Sequence, residues 1–294
     1  MTKQKRHRRR SSIAGSALVL SILAAVGWPG AASAQQCGND GAGFDRWVGQ
    51  FRTQISGQGG VSPATAASAL SGLSYDTRVI GLDRGQRSFK LSFDEFYARR
   101  VSNALLNKGR QRMREQSGLL DRIEQQFGVP RQILMAIWGL ETNYGSDSGG
   151  KFSILQSIAT LAYDCRRTEF FKKELVAALK IIDRGDIPAS QMRGGWAGEI
   201  GPMQFLPASY DKYAVDFDGD GRRDLFHSIP DMLASTANFL KGHGWQPGQP
   251  WDEGTANYAV IREWNKAEVY VRTISVMAEK LAGPAPEPRT AKRR

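Results

Sequence analysis

Apolar residues return at intervals of three and four along most of this chain, the spacing that gathers them on one face of a helix. Ser92 and Glu95 form a capping box that opens a stretch with Phe96, Val101, Ala104 and Leu105 on one side. Pro130 starts a second stripe through Ile133, Leu134, Ile137 and Trp138. Ser153 precedes Ile154, Leu155, Ile158 and Leu161. Thr168 leads into Phe171, Leu175, Leu179 and Ile182, with Gly185 as the stop. Ser228 opens a helix through Met232, Ala237 and Leu240, and a last one runs from about Ala267 to Leu281 before Gly283. Strand signals are few. Thr77–Phe93 combines β-branched residues and two glycines without a helical stripe, so an extended arm is expected there. Arg193–Gly201 holds four glycines and reads as an irregular loop. With 294 residues, 41% hydrophobic and 23% charged, the chain can bury a sizeable core. The expected fold class is mainly α with little β structure, in one domain over residues 35–282.

The two ends differ from this middle. A basic stretch ending at Arg10 is followed by an apolar run from Ile13 to Val26 and by Ala32-Ser33-Ala34, the layout of a cleaved signal peptide over residues 1–34. The run falls short of the ~20 residues a transmembrane helix needs, so no stable membrane anchor is expected. Gln36 before Cys37 lacks the small residues of a lipoprotein site. A soluble protein exported to the periplasm is the expectation. The leader also accounts for much of the net charge of +11. It holds six of the 40 basic residues and no acid, so 34 basic residues face 29 acidic ones in the remainder. An excess of five suits weak attraction to an anionic wall polymer and gives no case for nucleic acid. Residues 283–294 are rich in Pro, Ala and basic residues and read as a disordered tail. The two cysteines, Cys37 and Cys165, are expected to pair in an oxidising compartment.

Glu141 extends the stripe of Ile133 and Ile137 by one more step of four, close to the end of its helix, since Gly145, Gly149 and Gly150 follow at once. Desolvation and the negative end of the helix dipole both disfavour its carboxylate. They push its pKa toward the range a general acid needs near neutral pH. A helix-end glutamate turned to solvent is the plainer alternative. A second constellation runs Asp216-Phe217-Asp218-Gly219-Asp220-Gly221-Arg222-Arg223-Asp224. Three aspartates two apart match the start of an EF-hand loop, with Arg222 offering a backbone carbonyl, although His227 stands where the closing glutamate belongs.

Longer strings add context. From Ala136 the chain reads AIWGLETNYG, then SILQSIATLAYDCRRTEFF, then GGWAGEIGPMQFLPASYDKYAVDFDGDG, and late in the chain NFLKGHGW. Together these resemble the lytic murein transglycosylase B family, over roughly Phe44 to Leu281. The resemblance implies a lysozyme-like helical domain with a glycine-rich cleft loop and an EF-hand-like metal loop over 216–231. It implies that Glu141 is the single acid/base, that Gln204 lines the cleft and that Arg166 and Arg167 contact substrate. It sets Trp264 and Asn265 near the bound sugar. Trp196 and Tyr210 are candidates for stacking on sugar faces, or else core residues. Asp231 would close a structural calcium site with Asp216, Asp218 and Asp220, although Ser228 and Asp231 also have capping-box spacing. One departure stands out: many relatives have Gly-Ser where this chain has Gly194-Gly195, so a hydroxyl expected near Glu141 is missing.

The activity implied is non-hydrolytic cleavage of the β-1,4 bond between N-acetylmuramic acid and N-acetylglucosamine in peptidoglycan glycan strands, leaving 1,6-anhydro ends. No cofactor is implied for the reaction. Most glycosidases use two carboxyls; here no second acid falls within Ala136–Gly145. A muramidase that admits water and a wall-binding protein whose catalysis has lapsed are the alternatives. Ser146-Asp147-Ser148 departs from a serine-protease nucleophile loop. Only His227 and His243 follow the leader, which gives neither a protease base nor a zinc site much support.

Overall fold

Each helix that positions the site has a local reason to start or stop. The computed structural model describes residues 37–58, 60–85, 91–147 and 150–283; the leader expected at 1–34 and nearly all of the basic tail lie outside them. In chain order the helices are α1 (Phe44–Gln58), α2 (Pro63–Ala69), α3 (Thr77–Arg84), α4 (Phe93–Arg100), α5 (Asn103–Glu115), α6 (Ser117–Phe127) and α7 (Arg131–Thr142). After them come α8 (Ile154–Tyr163), α9 (Thr168–Asp183), α10 (Pro207–Tyr213), α11 (Ile229–Gly242), α12 (Ala256–Trp264) and α13 (Glu268–Ala282). The capping box at Ser92 and Glu95 is made in both directions. Ser153 accepts the Gln156 N–H and Ser228 the Asp231 N–H. Gly185, with φ of 80°, follows the end of α9.

Three expectations need correction. Thr77–Arg84 is helical, not extended: Asp76 caps it by accepting the Arg78 N–H, and Val79 and Asp83, one turn apart, are buried. The cap and that buried pair outweigh the β-branched residues, whose helix penalty is small. The stripe begun at Ser92 is two helices. Val101 leaves helical geometry (φ −116°, ψ 93°), and Ser102 caps a new helix by accepting the Leu105 N–H. The glycine-rich loop also starts with a short strand. Arg193–Gly194 (β2) pairs antiparallel with Phe152–Ser153 (β1), with Phe152 opposite Gly194 and Ser153 opposite Arg193.

The core gathers around α7. Every residue from Ile133 to Leu140 is buried, so this helix is apolar on all sides and is packed against α5, α11 and α13. A second group forms where α8 and α10 lie on α9. Cys37 is bonded to Cys165, as the cysteine count suggested, and the Gly38 N–H donates to the Tyr163 carbonyl at 2.9 Å. Phe44, Tyr75 and Tyr163 meet edge to face beside that link. Among the described residues no helix is long and apolar enough to cross a membrane.

Candidate active site

Glu141 is the next-to-last residue of α7, and beyond it the chain breaks sharply. Asn143 and Tyr144 both take left-handed backbone angles, φ of 50° and 57°, which non-glycine residues seldom adopt. The Thr142 hydroxyl donates to the Pro202 carbonyl at 2.6 Å and ties this break to the glycine-rich loop. On that loop Gln204 is the third non-glycine residue with positive φ among the described residues, at 57°. Ile200 and Phe205 close it with reciprocal backbone bonds of 2.8 and 3.0 Å, and the Gln204 amide donates to the Gly201 carbonyl at 2.8 Å. All three strained residues thus stand at one place, the pattern expected where a site holds backbone against its preference.

Trp264, at the end of α12, donates its indole N–H to Glu141 Oε1 at 3.0 Å. Burial is the largest influence on this carboxyl and pushes its pKa up to about 7. The Trp264 bond, Tyr270 and the Arg100 charge oppose that rise, while the nearby Glu199 carboxyl adds to it. Tyr270, on α13, is buried close enough to bias Glu141 toward ionisation, yet its hydroxyl completes no hydrogen bond. Arg100, at the end of α4, donates to the Leu140 carbonyl. An acid that titrates near neutrality can give up and regain a proton in one cycle.

Glu141 opens onto a cavity of about 530 Å³ that Arg167, Trp196, Glu199, Gln204, Trp264 and Asn265 also line. A second cavity, of about 450 Å³, reaches it between the α4–α5 segment and the end of α7, past Arg99, Arg100, Lys108 and Asp147. Most of the residues singled out in the sequence therefore meet. Arg166 does not line either cavity; its guanidinium bonds the Asp83 carboxylate at 2.5 Å and the Asp83 carbonyl at 2.7 Å. Arg167 shares that carboxylate and also faces the cleft. Tyr210 is a correction: it is fully buried and donates its hydroxyl to the Arg223 carbonyl, so it presents no ring face to a sugar.

Three groups escaped the sequence reading. Tyr270 and Arg100 come from helices whose apolar stripes gave no reason to look at them. Glu199 is a further carboxyl of the cavity, which Glu263 also lines, and it comes from the glycine-rich loop rather than from the Ala136–Gly145 helix end. Its only sequence signal was an acid inside a run of glycines.

Away from the cleft, ligand oxygens of Asp216, Asp218 and Asp231 lie within 4.8 Å of one another. Asp231 is fully buried and accepts the Phe217, Asp218 and Asp224 N–H groups, while Asp216 accepts those of Gly219, Asp220 and Gly221. The reciprocal capping-box bond from Asp231 to Ser228 is not made, because that carboxylate faces the loop. Asp220 stands outside the converging trio.

Comparison with known proteins agrees with this geometry. The family model for the transglycosylase SLT domain matches residues 43–255. Membrane-bound lytic murein transglycosylase B of Escherichia coli (strain K12) is 43% identical over 131 residues, 44% of this chain but only 36% of that protein's length. The crystal structure of SltB3 from Pseudomonas aeruginosa with NAG-anhNAM-pentapeptide is 32% identical, with a TM-score of 0.75, and the match covers 82% of this chain and 80% of that one. Escherichia coli lytic transglycosylase Slt35 in complex with calcium is 25% identical, with a TM-score of 0.72 and coverage of 86% and 97%. Matched by the family model over most of its length, the chain belongs to the SLT-domain transglycosylase family.

Proposed function

We propose that this chain is a periplasmic lytic transglycosylase that cuts the β-1,4 bond between N-acetylmuramic acid and N-acetylglucosamine, with Glu141 as general acid and then general base. The observation that carries this reading is a carboxyl at the end of a buried helix, facing a cavity and pushed up to about 7 by burial. Glu141 gives its proton to the glycosidic oxygen, and the C1–O bond breaks with its electron pair leaving on that oxygen. The acetamido carbonyl oxygen of the same sugar bonds to C1 and spreads the positive charge. The 6-hydroxyl oxygen then attacks C1, its proton passes to the Glu141 carboxylate, and the acetamido group is released as a 1,6-anhydro ring forms. Water is not consumed and no cofactor is needed.

Gln204, Trp196, Trp264, Asn265 and Arg167 line the path this reading gives the glycan. Arg166 acts there at second hand, by sharing Asp83 with Arg167. Export by the residue 1–34 leader and the disulfide between Cys37 and Cys165 fit an oxidising envelope compartment. In the acidic loop Asp216, Asp218 and Asp231 would hold a calcium ion, with Asp220 and the Arg222 carbonyl as further oxygens. Such an ion would fasten the loop to the start of α11 and take no part in the reaction. The presence of Glu199 favours one second reading, a muramidase in which that carboxyl activates water.

Mass spectrometry of the fragments released from purified sacculi separates the two. Products lighter by one water than hydrolytic ones, lost with Glu141→Gln, are the expected result. Full-mass reducing ends would make the protein a hydrolase.

A further inference from the structure

The turn from Gly195 to Glu199 closes on itself: the Gly195 N–H donates to the Glu199 carbonyl at 3.0 Å and the Gly198 N–H to the Gly195 carbonyl at 3.3 Å. The Ala197 N–H donates to Glu199 Oε2 at 2.9 Å and pins the carboxyl. A Cβ at Gly195 would overlap that carboxyl. The position that lacks a hydroxyl is therefore filled, by an acid from four residues on. The side chain is half-buried on the cavity that Glu141 faces, and its carboxyl is met by the Ala197 N–H and biased toward ionisation by its own N–H.

We propose that Glu199 is a second catalytic carboxyl of this cleft, which accepts the acetamido N–H of the sugar being cut and supplies the counter-charge to its positive centre. An N-acetyl sugar offers one N–H donor next to the reacting carbon, and that group gains positive charge as its carbonyl oxygen bonds to C1. Burial pushes the Glu199 carboxyl up, while its own N–H, the Ala197 N–H and the Arg167 charge oppose that rise; a carboxylate held in this way suits that donor and strengthens its hold as charge develops. The carboxyl also acts on Glu141 through space, favouring the protonated acid before the cut. Other charged or titratable groups facing the pair are Arg167 at the start of α9, Arg100 on α4, Tyr270 on α13 and Glu263 on α12.

The inference rests on Glu141 as acid/base, so the test carries both. Turnover of purified sacculi by residues 35–294 would be followed against pH for wild type, Glu199→Gln, Gly195→Ala and Glu141→Gln. Glu199→Gln is expected to lower kcat about 100-fold with little change in KM. It should also move the alkaline limb of the pH profile to lower pH, which a packing role would not do. Gly195→Ala keeps the acid but displaces it, and should lower kcat similarly; combined with Glu199→Gln it should cost little more. Unchanged kcat and pH limb in Glu199→Gln, or additive losses in the double variant, would overturn the proposal. Full-mass reducing ends from wild type would also overturn it, since Glu199 would then serve water. Wild-type turnover by Glu141→Gln would instead sink the acid/base reading on which the proposal stands.

Discussion

The cleft and the acidic loop both gather carboxyls, and they treat them in opposite ways. In the loop, Asp216 and Asp231 each accept three backbone N–H groups and so organise the chain. In the cleft, Glu141 accepts the Trp264 indole N–H and Glu199 the Ala197 N–H. Hydrogen bonds to a carboxylate favour its ionised form, and burial without them favours the acid. Burial nevertheless raises the pKa of Asp231 as it does that of Glu141 and Glu199, so what separates the two places is where the carboxyl faces: backbone N–H groups in the loop, an open cavity in the cleft. Residue type alone says nothing of this.

The contrast breaks most visibly at Glu141. Glu141→Gln should lower release of anhydro-muropeptides about 10³-fold, measured on sacculi with folding checked by circular dichroism. Near-wild-type release would place the chemistry elsewhere. The same substitution has a stability signature. Folded Glu141 titrates near 7 and its ordinary value is 4.5, so the native state holds an extra proton between those pH values. Stability is then fully present below about pH 4.5 and falls as pH rises to 7, by about 3 kcal/mol at most. Glutamine does not titrate. Glu141→Gln should thus melt above wild type at pH 8, with the gap closing toward pH 4; a constant gap would refute the assigned environment.

The loop side predicts the reverse kind of effect. Calcium at about 100 times its Kd should raise the melting temperature of chelator-treated protein by roughly 5–10 °C. Asp231→Asn should remove that rise, and no rise in wild type would leave the trio as a purely backbone-bonding device. The smallest effect is expected at Trp264. Trp264→Phe removes a donor worth about 1 kcal/mol to the carboxylate. The alkaline limb of the pH–rate profile should then move to higher pH by less than one unit. A shift the other way would mean that the indole stabilises the protonated form.

Much of this was legible in the sequence where local rules act alone. Ser92, Ser153 and Ser228 cap the helices their side chains can reach, and Gly185 follows the end of α9. The stripe through Ile133 and Ile137 led to Glu141 because periodicity and burial coincide on α7. Thr77–Arg84 was misread because its helix is short and half its signal is the Asp76 cap. The Ser92 stripe hid a break because Phe96, Val101 and Leu105 are all buried, although Val101 stands between two helices. Glu199 was out of reach for another reason. Its place beside Glu141 depends on how a loop folds back through Thr142 and Pro202, a contact between segments far apart in the chain. Tyr210 shows the opposite failure: aromatic character pointed to a sugar platform, and packing made it core.

The burial of α7 on every side has a mechanical consequence. A helix with no free face cannot slide or swing without tearing the core, so Glu141 is a fixed point in the molecule. If the chain cuts glycan as proposed, whatever must travel between one cut and the next has to be the polymer. The repeat length of the glycan, not any stroke of the protein, would then set the interval at which fresh bonds arrive at the acid.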